Sequence, residues 1–366
     1  MIKKIIIFLV AIHLVLIACN KDDDPIIEEM RIQERLFELP NEPFPNLSQY
    51  GFFVGQNMFD LEPHPTLIPY ALPTELFSNY AKKIRYVYMP PNKKANYIDD
   101  DQRTLEFPDS TIIIKTFYYE NDFTNPSAGR NIIETRLLIK RSGVWEQAEY
   151  IWNNNKTDAF LFIAGKQVEV KWIHFDGSPR STLYSIPNHN ECKGCHELDS
   201  TQVLLGPKAR YLNSTFQYHD GPENQLDNWI RNDRILGTPL SGIPKAASFD
   251  INEDDLENKA RTYLDINCAH CHNKSGPANN TGLFLDYNQQ DSFRLGFCKT
   301  PIAAGGGSGG LDYALVPGTP DESILIYRLN SLELDVSMPE LGRSVIHEEG
   351  LQLLRDWVAQ LDGDCN

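Results

Sequence analysis

Cys268-Ala269-His270-Cys271-His272 is a C-x-x-C-H run, and Cys192-Lys193-Gly194-Cys195-His196 repeats its spacing. This is the spacing of covalent c-type haem attachment. The two thiols can add across the haem vinyl groups, and the adjacent imidazole can turn back onto the iron from the proximal side. One such run arises by chance in many chains; two runs behind an export signal are far more specific. They imply two covalently bound haem c groups, one on Cys192, Cys195 and His196 and one on Cys268, Cys271 and His272. Two rival chemistries share the pattern. Zinc could take four thiolates from the two C-x-x-C pairs, but the pairs lie far apart and zinc needs no His directly after each. A thioredoxin-like dithiol expects one motif at the start of a helix in a βαβ unit, and neither run has that setting.

Outside the two runs, three of the seven cysteines remain. Cys19 closes an N-terminal apolar segment, and Cys298 and Cys365 are left as a disulfide pair. Residues 1–19 read as a signal peptide. Lys3 and Lys4 supply its positive start, and 5–17 is apolar apart from His13 and short for a membrane span. Its end, Leu16-Ile17-Ala18-Cys19, resembles a bacterial lipobox, which implies cleavage before Cys19 and lipidation of that thiol. The mature chain is then expected on the periplasmic side or at the cell surface, held to a bacterial membrane through an N-terminal lipid. That compartment attaches c-type haem and lets disulfides persist. Residues 20–35 begin Asn20-Lys21-Asp22-Asp23-Asp24 and read as a charged tether with little to bury. The same run is similar to surface-export signals of some Gram-negative lipoproteins.

Composition sets outer bounds. With 366 residues and 41% hydrophobic content the chain has room for two or three domains with a full core. Fifty acidic against 34 basic residues give a net charge of -16, which argues against nucleic-acid binding. It permits steering of a basic redox partner.

Residues 36–186 read as a β-rich domain. Its first part, 36–80, carries Pro40, Pro43, Pro45, Pro63, Pro65, Pro69 and Pro73, a density that suits extended wrapping. Only 74–83 could form a short helix there, capped by Thr74. Short β-branched and aromatic runs follow at 84–89, 111–119, 132–139, 148–152, 159–163 and 168–175, separated by turn signals such as Pro90-Pro91-Asn92 and Ser142-Gly143. They predict an antiparallel sandwich or barrel of about a hundred residues. Its Asp, Glu and His residues form no catalytic constellation, and most are expected to be solvated. From 187 the character changes to short helices and loops, divided into a first haem domain at 187–250 and a second at 251–366. Helices are expected at 226–236, 254–267 and 347–361, and Gly305-Gly306-Gly307-Ser308-Gly309-Gly310 as a flexible loop. The fold class is mixed: one β domain, then two small, mainly α haem domains.

The second half resembles class I cytochrome c, in which a helix leads into C-x-x-C-H and a distal Met precedes the C-terminal helix. Nearly all of the mature chain is similar to a family of exported dihaem c-type cytochromes. The resemblance rests on Pro69-Tyr70, residues 76–83, 133–138, 192–196, 224–226 and 267–272, and Met338-Pro339-Glu340-Leu341-Gly342-Arg343. It implies haem binding, electron transfer and Met338 as the distal ligand of the second haem. Pro339 suits that role by holding the chain in a non-helical loop. Gly206-Pro207 lies near the class I position whose Pro carbonyl accepts a hydrogen bond from the proximal His, and Gly276-Pro277 comes sooner after its motif.

The first haem has no obvious distal ligand. His219, His174, Met58 and Met89 are candidates, and an open position is another. The leading function is therefore electron transfer with a redox partner protein. Two alternatives stay open: a dihaem peroxidase, which needs one vacant iron site, and a β module that binds a partner or glycan with the cytochrome as its redox tail.

Overall fold

Strand-forming residues recur in alternation from 82 onward, and they build the centre of the molecule. The computed structural model describes residues 39–365 apart from 56, 101, 199–200, 240, 250–254 and 303. The leader, Cys19 and the tether lie outside the described residues. Strands β1 (Ile68–Pro69), β2 (Lys82–Tyr88), β3 (Ala95–Asn96), β4 (Ile112–Glu120), β5 (Arg130–Arg141), β6 (Val144–Trp152) and β7 (Ala159–Leu161) come first. All but β3 join one antiparallel six-stranded sheet in the order β1-β2-β4-β5-β6-β7. Strands β8 (Lys166–Ile173) and β9 (Pro179–Ile186) form a separate antiparallel hairpin.

Alternation gives the sheet two different faces. On one, Tyr86, Ile112, Ile114, Leu137, Ile139 and Tyr150 are covered by Leu47, Tyr50, Phe52 and Leu61 of the Pro-rich wrap. Each such fully buried apolar side chain contributes ~1.5–3 kcal/mol. The other face is covered in two places. At one end of the strands Phe117, Tyr119 and Ile133 pack on Val170, Trp172 and Tyr184 of the β8–β9 hairpin. At the other end Val87, Ile113 and Trp145 pack on Leu204, Leu212, Leu226 and Trp229. Polar residues fill the strip between.

The antiparallel β domain is thus as expected, built as one sheet with an added hairpin. The expected helix at 74–83 is absent. Asn79 and Tyr80 have φ of 53° and 66°, which no helix tolerates, and Lys82 and Lys83 already belong to β2. The strand at Pro179–Ile186 was not anticipated. Residues 187–250 were expected to be mainly α. They contain α1 (His189–His196), α2 (Ala209–Leu212) and α3 (Gln225–Arg231), interleaved with two-to-four-residue strands β10 (Glu197–Leu198), β11 (Thr201–Gln202), β12 (Thr215–Tyr218), β13 (Gly221–Asn224) and β14 (Ile235–Leu236). Their apolar residues join the sheet's own core. The expected helix at 226–236 ends at Arg231 because Ile235 and Leu236 pair in parallel with Ala95 and Asn96.

Beyond 255, α4 (Leu256–Asn267), α5 (Ser292–Leu295), α6 (Ile324–Leu329) and α7 (Glu348–Ala359) surround a core of Tyr263, Leu264, Ile326, Leu354, Trp357 and Val358. Asp255 caps α4 by accepting the Asn258 N–H at 2.8 Å. Residues 305–310 begin with a 3-10 turn in which Gly307 is buried. Cys298 and Cys365 form a disulfide with their Cα atoms 5.2 Å apart, as expected. Among the described residues no helix is long and apolar enough to cross a membrane.

Candidate functional site

The first C-x-x-C-H occupies α1, and the chain starts that helix with a capping box. Asn188 Oδ1 accepts the Glu191 N–H at 3.0 Å, and Glu191 Oε2 accepts the Asn188 N–H at 2.8 Å. Cys192 is buried, with its Sγ donating to Glu149 Oε1 at 3.0 Å. Burial and that carboxylate push its pKa up. His196 Nδ1 lies 3.0 Å from the Val203 carbonyl. A carbonyl only accepts, so Nδ1 carries the proton and the Nε2 lone pair is free. Burial pushes the His196 pKa down to about 4, which keeps the ring neutral at pH 7. The carbonyl that orients His196 was expected to be that of Pro207; it belongs to Val203. The Pro207 carbonyl instead accepts the Leu105 N–H at 3.2 Å.

Cys192, Cys195 and His196 open into a cavity of about 950 Å³. That size lies at the upper end of the range for small-molecule and cofactor sites. Leu72, Leu76, Ile113, Leu138, Leu204 and Ile266 supply apolar wall, while the middle strip of the sheet supplies charge. Arg85 on β2 is opposite Lys115 on β4, Lys115 is opposite Arg136 on β5, and Arg136 is opposite Glu149 on β6. All four line the cavity. Arg85 is paired with Glu75 at 2.8 and 3.3 Å, and Arg136 with Glu134 at 2.6 and 2.9 Å. Lys115 has no carboxylate within ion-pair distance among the described residues. Its ammonium lies 4.9 Å from the centre of the Phe117 ring. Burial, with Arg85 and Arg136 adding to it, pushes the Lys115 pKa well down.

The second C-x-x-C-H leaves the end of α4. Cys268 donates its N–H to Leu264 O at 2.9 Å as the helix stops, and the His272 N–H turns back to Cys268 O at 2.9 Å. Burial pushes the His272 pKa down to about 4, against a backbone contact with Leu283 that raises it. Gly276 passes so close to the Cys271 carbonyl that a Cβ there would overlap it. The two motifs meet. Cys271 Sγ lies 4.0 Å from the Gly194 carbonyl, and the neighbouring Cys195 and Cys271 thiols interact so that the Cys195 pKa is held low and that of Cys271 high. Asp265 on α4 fixes this meeting by accepting from Arg210 and Tyr211, with Lys208 Nζ 3.6 Å away. Burial alone would raise the Asp265 pKa, but Lys208 and Arg210 hold it below its ordinary value.

The distal candidates for the first motif lie elsewhere. His219 is fully exposed beside Asp220. His174 is buried, with Nδ1 accepting from Trp172 Nε1 at 3.2 Å and Nε2 3.6 Å from Glu349. Met58 and Met89 belong to the apolar clusters on opposite faces of the sheet. None of the four lines the cavity. His270 does, and its Nδ1 is buried without a hydrogen-bond partner among the described residues. Met338 sits on the loop that passes both motifs. Its N–H donates to Arg328 O at 3.1 Å, Glu340 helps raise the Cys271 pKa, and Leu341 Cδ1 lies 3.0 Å from where a Cβ on Gly194 would be.

The C-x-x-C-H residues were legible as motifs; Arg85, Lys115, Arg136 and Glu149 were not. Most acidic residues and His of the β domain were expected to be solvated, yet Glu134, Glu149 and His174 are buried. The charges interrupting otherwise apolar strand runs were the available signal. Among the described residues no group of three or more His, Cys, Asp or Glu side chains is gathered to hold a metal ion directly. A four-thiolate zinc site is therefore not assembled there. No family model, curated protein or solved structure matches this chain.

Proposed function

We propose that this chain is a dihaem c-type cytochrome, a lipoprotein that transfers electrons outside the cytoplasm. The observation that carries the reading is two C-x-x-C-H motifs lying side by side, the first opening Cys192, Cys195 and a neutral, carbonyl-oriented His196 into a large cavity. Bound haem would supply reversible one-electron iron chemistry. Cys192 and Cys195 would hold the first haem and Cys268 and Cys271 the second, with His196 and His272 as proximal ligands. The Val203 carbonyl fixes the His196 ring and raises its donor strength. Met338 would take the distal position of the second haem. His270, with an unpartnered ring nitrogen in the cavity, is placed to serve the first.

Close thiols at Cys195 and Cys271 support direct electron passage between the two groups. The helix-motif-helix order of α4, Cys268–His272 and α7 supports the likeness of the second haem domain to class I cytochrome c. An imidazole at the first cavity favours a relay over a peroxidase, which needs a vacant position. The apolar cover on both faces of the sheet speaks against a free β binding module. The reading also places lipid on Cys19 and a redox protein as partner.

Intact-mass spectrometry of the denatured protein, purified from a bacterium that matures c-type cytochromes, tests this. Two haem additions that survive denaturation are expected. A chain with no haem mass would end the reading.

A further inference from the structure

The geometry points to Lys115, on the central strand of the β sheet, as the counter-cation for a propionate carboxylate of the first haem. This rests on the dihaem reading, and it makes the sheet part of the haem site. The argument starts from register. Arg85, Lys115 and Arg136 are direct neighbours across β2, β4 and β5, and like charges directly opposite one another destabilise a sheet. Glu75 and Glu134 offset the outer two with bidentate pairs, so among the described residues the central Lys115 is left without an ion pair of its own. That cation faces a cavity rather than bulk water. Lys115 is half-buried; a charge partly withdrawn from water without a partner is costly, and an anion in the cavity reduces the cost.

What the anion belongs to follows from the rest of the wall. Two thiols and an imidazole enter the same space, and Leu72, Leu76, Leu138, Leu204 and Ile266 make much of the remainder apolar. A small inorganic anion would leave that surface empty. An amphipathic group with an apolar body and a carboxylate edge satisfies both parts of the wall. Lys115 and His196 line the same cavity.

The test uses the full-length protein with Lys115→Met and Lys115→Arg. Haem mass is measured first, then the midpoint potential of each haem across about pH 5–8, spanning the ordinary His range and the approach to carboxyl pKa values. In the wild type the cation keeps the propionate ionised, so the potential of the first haem should show no carboxyl-linked slope. In Lys115→Met it should fall, because a positive charge that disfavours ferric iron is gone. A pH-dependent slope should also appear as the buried carboxyl begins to take up a proton on reduction. Lys115→Arg should keep the wild-type profile. If Lys115→Met loses the first haem, retention in Lys115→Arg supports the assignment and loss from both overturns it. Wild-type potential and pH profile in a Lys115→Met chain carrying two haems would overturn it as well. Absence of haem from the wild type would instead remove the reading beneath it.

Discussion

At the scale of single residues the two attachment motifs could be read because their chemistry is local: two thiols and an imidazole within five positions. Met338 stands between local and non-local. Its position before the last helix suggests a role, and the fold brings its loop past the second motif through Arg328, whose carbonyl accepts the Met338 N–H and whose charge helps lower the His272 pKa. A thioether favours ferrous iron and raises potential. On the proposed dihaem reading, Met338→Ala should therefore lose the weak far-red charge-transfer band of Met-ligated ferric haem and lower the potential of the second haem. An unchanged spectrum and potential would give that position to another residue. The acceptor for His196 shows the limit of reading by spacing. Val203 and Pro207 are both within reach of a turn, and only the folded backbone decides between them. The Arg85–Lys115–Arg136 ladder was hidden for a stronger reason. Its residues are 30 and 21 positions or so apart, and cross-strand register is set by the whole sheet.

At the scale of elements, strands rich in Ile, Val and aromatics were legible, while Pro179–Ile186 was missed because Pro179, Ser181 and Ser185 take outward positions and Thr182 an inward one. The helices α4 and α7 were legible from their apolar stripes, but their crossing was not. That crossing turns on Gly350. A Cβ there would lie 2.5 Å from both Tyr263 Cζ and His347 Nδ1. Gly to Ala in a helix interior ordinarily gains about 1 kcal/mol. Overpacking a tight contact costs about 1–3 kcal/mol, so the clash should win. Gly350→Ala is expected to lower the urea midpoint despite the better helix former. A raised midpoint would mean that α4 and α7 can move apart freely.

At the scale of the whole molecule, residues 77–80 form one of the junctions between the β domain and the C-terminal helix. Phe77 stacks on His347 with ring centres 4.3 Å apart, Asn79 Oδ1 accepts the Ser344 N–H at 2.6 Å, and Tyr80 donates to Glu349 at 2.8 Å. His347 Nδ1 also meets the Tyr263 hydroxyl at 2.9 Å. The junction therefore has a titratable ring at its centre. Burial pushes the His347 pKa down to about 4, against the pull of Glu349 and with help from Lys83. A His whose folded pKa is depressed binds its proton more readily in the unfolded chain. Its contribution is complete above the unfolded value near 6.5 and is lost as pH falls from there toward 4. The loss at the acid end is at most about 3 kcal/mol. His347→Phe keeps the stack on Phe77, gives up the bond to Tyr263 and cannot titrate. It should be less stable than the wild type at neutral pH by about 1 kcal/mol. Because the carboxylates are common to both proteins, the difference between their urea midpoints isolates this ring. That difference should narrow, or change sign, as pH is lowered from about 7 to about 4. A constant difference across that range would place the acid sensitivity of the junction in another group.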